Sequence, residues 1–173
     1  MANKAKYKFN GELFGKRLYN RVADEQTKRL IAYAEEEIVR IVETKGFKND
    51  SFNLSDSYVW CVFQNGKRKG YGTYGRKQAK KDSLLHEYSP QISVPVNGRK
   101  LANDFARVYK PDSDKGWEIV FAAVAPYGAY MEEGYTFRGR YYQFNIMSQE
   151  YDNIKNTLSP LCKVTFEIAT PKY

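Results

Sequence analysis

Between Asp24 and Thr44, apolar side chains recur every three or four residues: Leu30, Ile31, Ala34, Ile38, Ile41 and Val42. That spacing aligns them on one stripe of an α-helix, and so long a stripe must be buried against another element. Asp24 carries the short side-chain acceptor of an N-cap, and Gly46 can close the helix in a left-handed conformation, so a long helix is expected between them. Glu35, Glu36 and Glu37 lie partly off the stripe. Residues 1 to 22 mix lysine, glycine and isolated aromatics without a helical period. They read as a flexible basic arm, suited to ordering against a neighbouring subunit.

After the helix the period changes. Tyr58 to Phe63 is a β-rich run that reaches Asn65-Gly66, a pair favoured in tight hairpin turns because both positions tolerate positive φ. The return limb is expected over Gly70 to Gly75, as a mobile edge, and the basic run with Asp82 to Pro90 as an exposed loop. Asn97 to Tyr109 places Leu101, Ala102, Phe105 and Tyr109 on one helical face and stops before Pro111. Trp117 to Val124 reads as a central strand, apolar on both faces. Asn145 to Leu158 reads as a helix through Met147, Tyr151, Ile154 and Leu158, closed by Pro160. Cys162 to Ile168 then alternates apolar and polar residues, as a half-buried strand does. The expected fold class is α+β: a small, largely antiparallel sheet packed against a long N-terminal helix and two shorter helices. One domain spans residues 23 to 173, with a basic hairpin and loop at 65 to 90.

A length of 173 residues, with 42% hydrophobic and 28% charged, is enough for one core and argues against wholesale disorder. The longest wholly apolar run, Ile119 to Pro126, is too short to cross a bilayer, so neither membrane insertion nor export is expected. Cys61 and Cys162 each lie in strand-like sequence, where a reduced thiol acts as a small hydrophobe. They can pair only if their strands are neighbours. Two cysteines and one histidine give no metal-site spacing, so no metal or cofactor is expected.

Charge is uneven along the chain. Lys67, Arg68, Lys69, Arg76, Lys77, Lys80 and Lys81 fall within Asn65 to Lys81 with no acid, supplying seven of the net eight positive charges. Asp24 to Thr44 carries six acids against three bases. Opposed electrostatic faces follow, which suit ordered self-association as well as contact with nucleic acid.

The candidate chemistry is thin. Glu132 and Glu133 are adjacent, and in extended chain they point to opposite sides rather than converging on one substrate atom. His86 has Glu87 beside it but no nucleophile in a recognisable turn. Pro111-Asp112 followed by Glu118 has part of a metal-dependent nuclease pattern, with Val120 where a lysine belongs. Gly70 to Gly75 lacks the lysine and hydroxyl of a nucleotide-binding loop. No enzymatic activity is expected. Nucleic-acid binding is the stronger alternative, since Tyr71 and Tyr74 interleave with the cations of the hairpin and can stack on bases. After Tyr127, the residues Tyr130, Tyr135, Phe137, Tyr141, Tyr142 and Phe144 lie close together, with Arg138 and Arg140 among them. Tyrosine and arginine at this density point to a subunit interface.

At two places the chain resembles the minor tail-component family of tailed bacteriophages of the Hong Kong type, whose members are head-tail joining, neck or tail-completion proteins. One is the strand start in "NLSDSYVW", with Leu54, Asp56 and Ser57. The other is "PYGAYMEEGY", with Tyr127, Tyr130, Glu132 or Glu133, and Gly134. A long helix before the first motif, and an aromatic segment leading to a helix and strand after the second, extend the likeness over roughly residues 25 to 170. The chain departs from the pattern at "TKGFKNDSFN", at Gly128 and at "TFRGRYYQF". The resemblance implies a virion protein assembled in the bacterial cytoplasm, a ring-forming subunit that meets itself and other connector or tail proteins. It implies that Tyr127, Tyr130, Glu132, Glu133, Gly134, Tyr135, Arg138, Arg140 and Tyr141 form a subunit interface. The basic hairpin then faces either DNA in a central channel or an acidic neighbour.

Overall fold

Tyr58–Gln64 (β1) and Trp117–Ala123 (β5) bury nearly every side chain on both faces, so neither strand has a side that can face water. They pair antiparallel, Cys61 opposite Val120, at the centre of a four-stranded sheet. The computed structural model describes residues 10–44, 53–74, 83–84, 95–125, 128, 134–137, 139–143 and 145–168. Lys67–Thr73 (β2) flanks β1 antiparallel, and Lys163–Ile168 (β8) flanks β5 in parallel, giving the order β2-β1-β5-β8. The architecture is α+β, with a mixed sheet in which two of three pairings are antiparallel.

Helices cover both faces. Gly11–Thr44 (α1) lays Leu30, Ala34, Ile38 and Ile41 over Trp60, Val62, Ile119 and Phe121. Ser148–Leu158 (α4) completes that side with Ile154 and Leu158, while Ile146 and Met147 fill the turn before it. The opposite face, Val59, Cys61, Phe63, Val120 and Ala122, is covered by Gly98–Val108 (α3) through Ala102 and Ala106. Asn97 starts α3 by accepting the Lys100 amide at 2.9 Å on its side-chain oxygen. Smaller elements complete the chain: Asn53–Asp56 (α2), Ser83–Leu84 (β3) paired with Pro95–Val96 (β4), and Tyr135–Phe137 (β6) paired with Arg140–Tyr142 (β7).

α1 and α4 are joined by charge as well as by apolar packing. The Arg40 guanidinium donates to both oxygens of Glu37 one turn back, and to Glu150 of α4 at 2.8 Å. Both carboxylates are buried, and Asn153 adds a 3.3 Å bond to Glu150. These bonds hold the Arg40 proton more tightly than usual, and burial together with Glu37 pushes the nearby Tyr33 phenol up to about 12. On the same helix, Thr27 accepts from the Trp117 indole at 3.0 Å and so fixes α1 against the start of β5.

Several sequence expectations are corrected. The first helix starts at Gly11, not Asp24, and is capped by Asn10, whose side chain accepts the Leu13 amide at 3.0 Å. Residues 11 to 22, read as an arm, are its first three turns. They carry no core stripe, since all twelve are exposed, and the helix extends there because adding turns to a nucleus already held by the sheet costs little. Gly46 lies outside the described residues. The hairpin does turn at Asn65-Gly66, both at positive φ (50° and 71°), but its return limb begins at Lys67. The helix expected from Asn145 begins at Ser148, and Ser83-Leu84, read as loop, is paired strand.

The glycines of β2 have a packing reason. Trp60 lies across the strand beneath α1, and a Cβ at Gly72 would sit 2.8 Å from its indole nitrogen. At Gly70 it would sit 3.0 Å from Ile31. Gly72→Ala is therefore expected to destabilise the fold by about 1–2 kcal/mol in urea unfolding, against the modest gain alanine usually brings to a strand. In a Trp60→Leu background the same change should be neutral or favourable.

The cysteines belong to opposite faces of the sheet, and β5 runs between their strands, so they do not pair. Burial pushes the Cys61 thiol up to about 12 and the Cys162 thiol to about 11. A thiol reagent at pH 8 should label neither in the native protein and both in denaturant.

Arg40→Met should cost about 2 kcal/mol, less than for a fully buried pair because the guanidinium is partly solvated. Adding Glu37→Gln and Glu150→Gln should recover most of the loss in the same unfolding assay.

Candidate functional site

The motif around Leu54 serves the fold. Leu54 joins the core under α1, and Ser57 donates its hydroxyl to the Leu54 carbonyl at 2.7 Å, tightening the turn into β1. Asp56 is buried 3.7 Å from the Arg99 guanidinium of α3. Burial raises its carboxyl above the usual range, and Arg99 offsets part of that shift.

The acids of the nuclease-like pattern are also structural. Glu118 is buried and accepts from the Tyr109 hydroxyl and the Asp112 amide, each at 3.1 Å. Asp112 pairs with Lys163, and Val120 is in the core against α3. Among the described residues, no group of three His, Cys, Asp or Glu side chains is placed to hold a metal ion. No helix among them is long and apolar enough to cross a membrane.

Of the basic hairpin, Lys67, Arg68 and Lys69 lie on β2, the edge of the sheet; Arg76, Lys77, Lys80 and Lys81 fall outside the described residues. The register shift at Val62/Phe63 turns Arg68 toward α3. There it donates to the Ala106 carbonyl and lies 4.8 Å from the centre of the Tyr71 ring. Lys67 and Lys69 remain solvent-facing cations. Tyr74, expected to be a base-stacking platform, is instead 3% exposed and donates to Glu43 at 2.9 Å. It cannot receive a base without leaving the core.

The aromatic rim is described in part. Tyr127, Tyr130, Glu132, Glu133 and Arg138 fall outside the described residues. Gly134, Tyr135, Arg140 and Tyr141 come together in the β6–β7 hairpin, which forms its own two-stranded sheet. Tyr135 faces Tyr142 in the register, and Gly139 turns the chain at φ +74°. Gly134 has φ +91°, and a Cβ there would overlap the Tyr141 ring and hydroxyl. The glycine thus seats Tyr141, which is 62% exposed and donates to Gln143 at 3.3 Å. Arg140 and Tyr141 are both exposed on this hairpin.

One surface was not anticipated from the sequence. Leu13, Phe14, Leu18, Tyr19 and Val22 are exposed on the first three turns of α1. The signal available was the four-residue spacing of Phe14, Leu18 and Val22, hidden because that stripe is rotated away from the one that begins at Leu30.

Comparison with protein-family models, curated proteins and solved structures found no match to this chain.

Gly134→Ala forces a side chain into the left-handed region and displaces Tyr141. Amide exchange across Tyr135 to Tyr142 is expected to accelerate, consistent with a local cost of about 1–3 kcal/mol. With Tyr141→Ala added, a smaller acceleration should remain, because only the backbone strain persists.

Proposed function

We propose that this chain is a non-enzymatic structural subunit of a phage or prophage particle. It acts at the head-tail junction, in the neck or in tail completion, by assembling with like copies and with connector or tail proteins. It is made in the bacterial cytoplasm and retained in the virion. The observation that carries this reading is the contrast between a body whose described buried acids are engaged by internal partners and two exposed surfaces that carry large aromatic or aliphatic side chains. One is the Gly134-seated Tyr141 hairpin, and the other is the start of α1. Surfaces of this kind are those by which subunits bind one another. The two sequence motifs supply the phage assignment.

Nucleic-acid binding through residues 65 to 81 is the weaker reading, because Arg68 and Tyr74 are both engaged within the fold.

Deleting the gene from its phage or lysogen is the test. Separate heads and tails are expected to accumulate, and the protein supplied in trans should join them. Normal joined particles in its absence would overturn the proposal.

A further inference from the structure

α1 is 34 residues long, about 51 Å at the usual rise, whereas the strands beneath it are seven residues, about 23 Å. Its first buried side chain is Ala23. Everything from Gly11 to Val22 is exposed, and the five large apolar residues there are between 45% and 60% exposed. Among them Phe14, Leu18 and Val22, four residues apart, form an apolar stripe on the side opposite the one that Ala23 and Leu30 bury.

The same outer side continues along the helix, and its charge changes sign. In the first third that side carries Arg17 and Arg21, while Lys16 and Glu12 fall on the side that Ala23 and Thr27 continue. Further on, the exposed acids Asp24, Glu25, Glu35, Glu36 and Glu43 outnumber the exposed bases Lys28, Arg29 and Arg40, with Ala32 and Val39 exposed among them. A basic, apolar first third is therefore followed by a stretch with a modest excess of exposed acid on the same helix.

We infer that the outer stripe of α1 docks on the same stripe of a second copy of this chain, with the two helices antiparallel and overlapping along their length. In that arrangement each apolar first third lies against the later part of the other helix. Phe14 then lies beside Val39 of the other copy, and Val22 beside its Ala32. Arg17 and Arg21 flank the other copy's Glu35. Glu25, which pairs with Arg29 within one chain at 3.6 Å, finds a second Arg29 across the contact. A parallel, in-register pair would instead set Arg17 against Arg17 and Glu36 against Glu36, which charge repulsion disfavours. The twofold contact closes on itself and leaves the β6–β7 hairpin free to build anything larger. The inference deepens the assembly reading and rests on it for the claim that like copies meet.

The test is sedimentation of the purified full chain across concentration and salt. A dimer is expected, weakened as salt rises. Leu18→Glu, at an exposed position, should weaken it about tenfold or more without changing the unfolding midpoint. Arg17→Glu with Arg21→Glu should weaken it similarly, and adding Glu35→Lys should restore it. A chain carrying both Val22→Cys and Ala32→Cys should form a disulfide-linked dimer on oxidation, while either single change should not. The native thiols are buried and stay silent.

A monomer at all concentrations overturns the inference, as does a self-association that Leu18→Glu leaves intact or a single-cysteine variant that links equally well. A monomer that Leu18→Glu destabilises points to cover by this chain's own residues and overturns it also. If the chain stays monomeric yet heads and tails fail to join without the gene, this inference fails alone. If the dimer forms and joined particles assemble without the gene, the head-tail reading fails alone.

Discussion

The structure depends on two adjacent strands, β1 and β5, that have no wettable side. Each buried face loses stability if left open to water, at roughly 25 cal/mol for every Å² of apolar surface. Both faces therefore need a cover. α1 and α4 meet this need on one side and α3 on the other. The polar bonds then select among covered arrangements: Arg40 sets α4 against α1, Thr27 sets α1 against Trp117, and Asp56 sets α2 against α3. Burial supplies the driving force, and these bonds supply the register.

Much of this was legible in the sequence because it is local. The stripe from Leu30 to Val42, the Asn65-Gly66 turn and the one-faced run from Asn97 to Tyr109 are patterns within a dozen or so residues, and each became the expected element. The parallel pairing of β8 with β5 was not legible, since it joins segments about 45 residues apart and no local period encodes a neighbour. Nor was the covering of both faces: β1 reads as apolar throughout, but only the fold assigns Trp60 to α1 and Cys61 to α3. The first turns of α1 were missed because amphipathic reasoning looks for a buried stripe, and theirs is exposed.

The same distinction applies to the candidate site. Gly134, Tyr135, Arg140 and Tyr141 were singled out as a group, and the chain does bring them into one hairpin. The "GYGTYG" stretch invited two readings, a mobile edge and a nucleic-acid platform, from the same residue types. The packing reason for its glycines is nonlocal: the Trp60 indole occupies the space that a Cβ at Gly72 would need, and Ile31 of α1 crowds Gly70. Tyr74 is drawn into the core by Glu43, from an element thirty residues upstream. For Gly70, Gly72 and Tyr74 the structure supplies a nonlocal packing reason that residue type alone could not.

A helix that outruns its own sheet poses an energetic question. Burial cannot stabilise the turns before Ala23 within one described body, yet they carry Leu13, Phe14, Leu18, Tyr19 and Val22, side chains whose exposure has no benefit to an isolated subunit. Had selection acted on the monomer alone, polar residues at those positions would keep the helix equally well and improve solubility. The apolar residues are better explained by a state in which they are covered. The reversal of charge along the same stripe makes a second α1 running the other way the complementary surface that the chain itself provides.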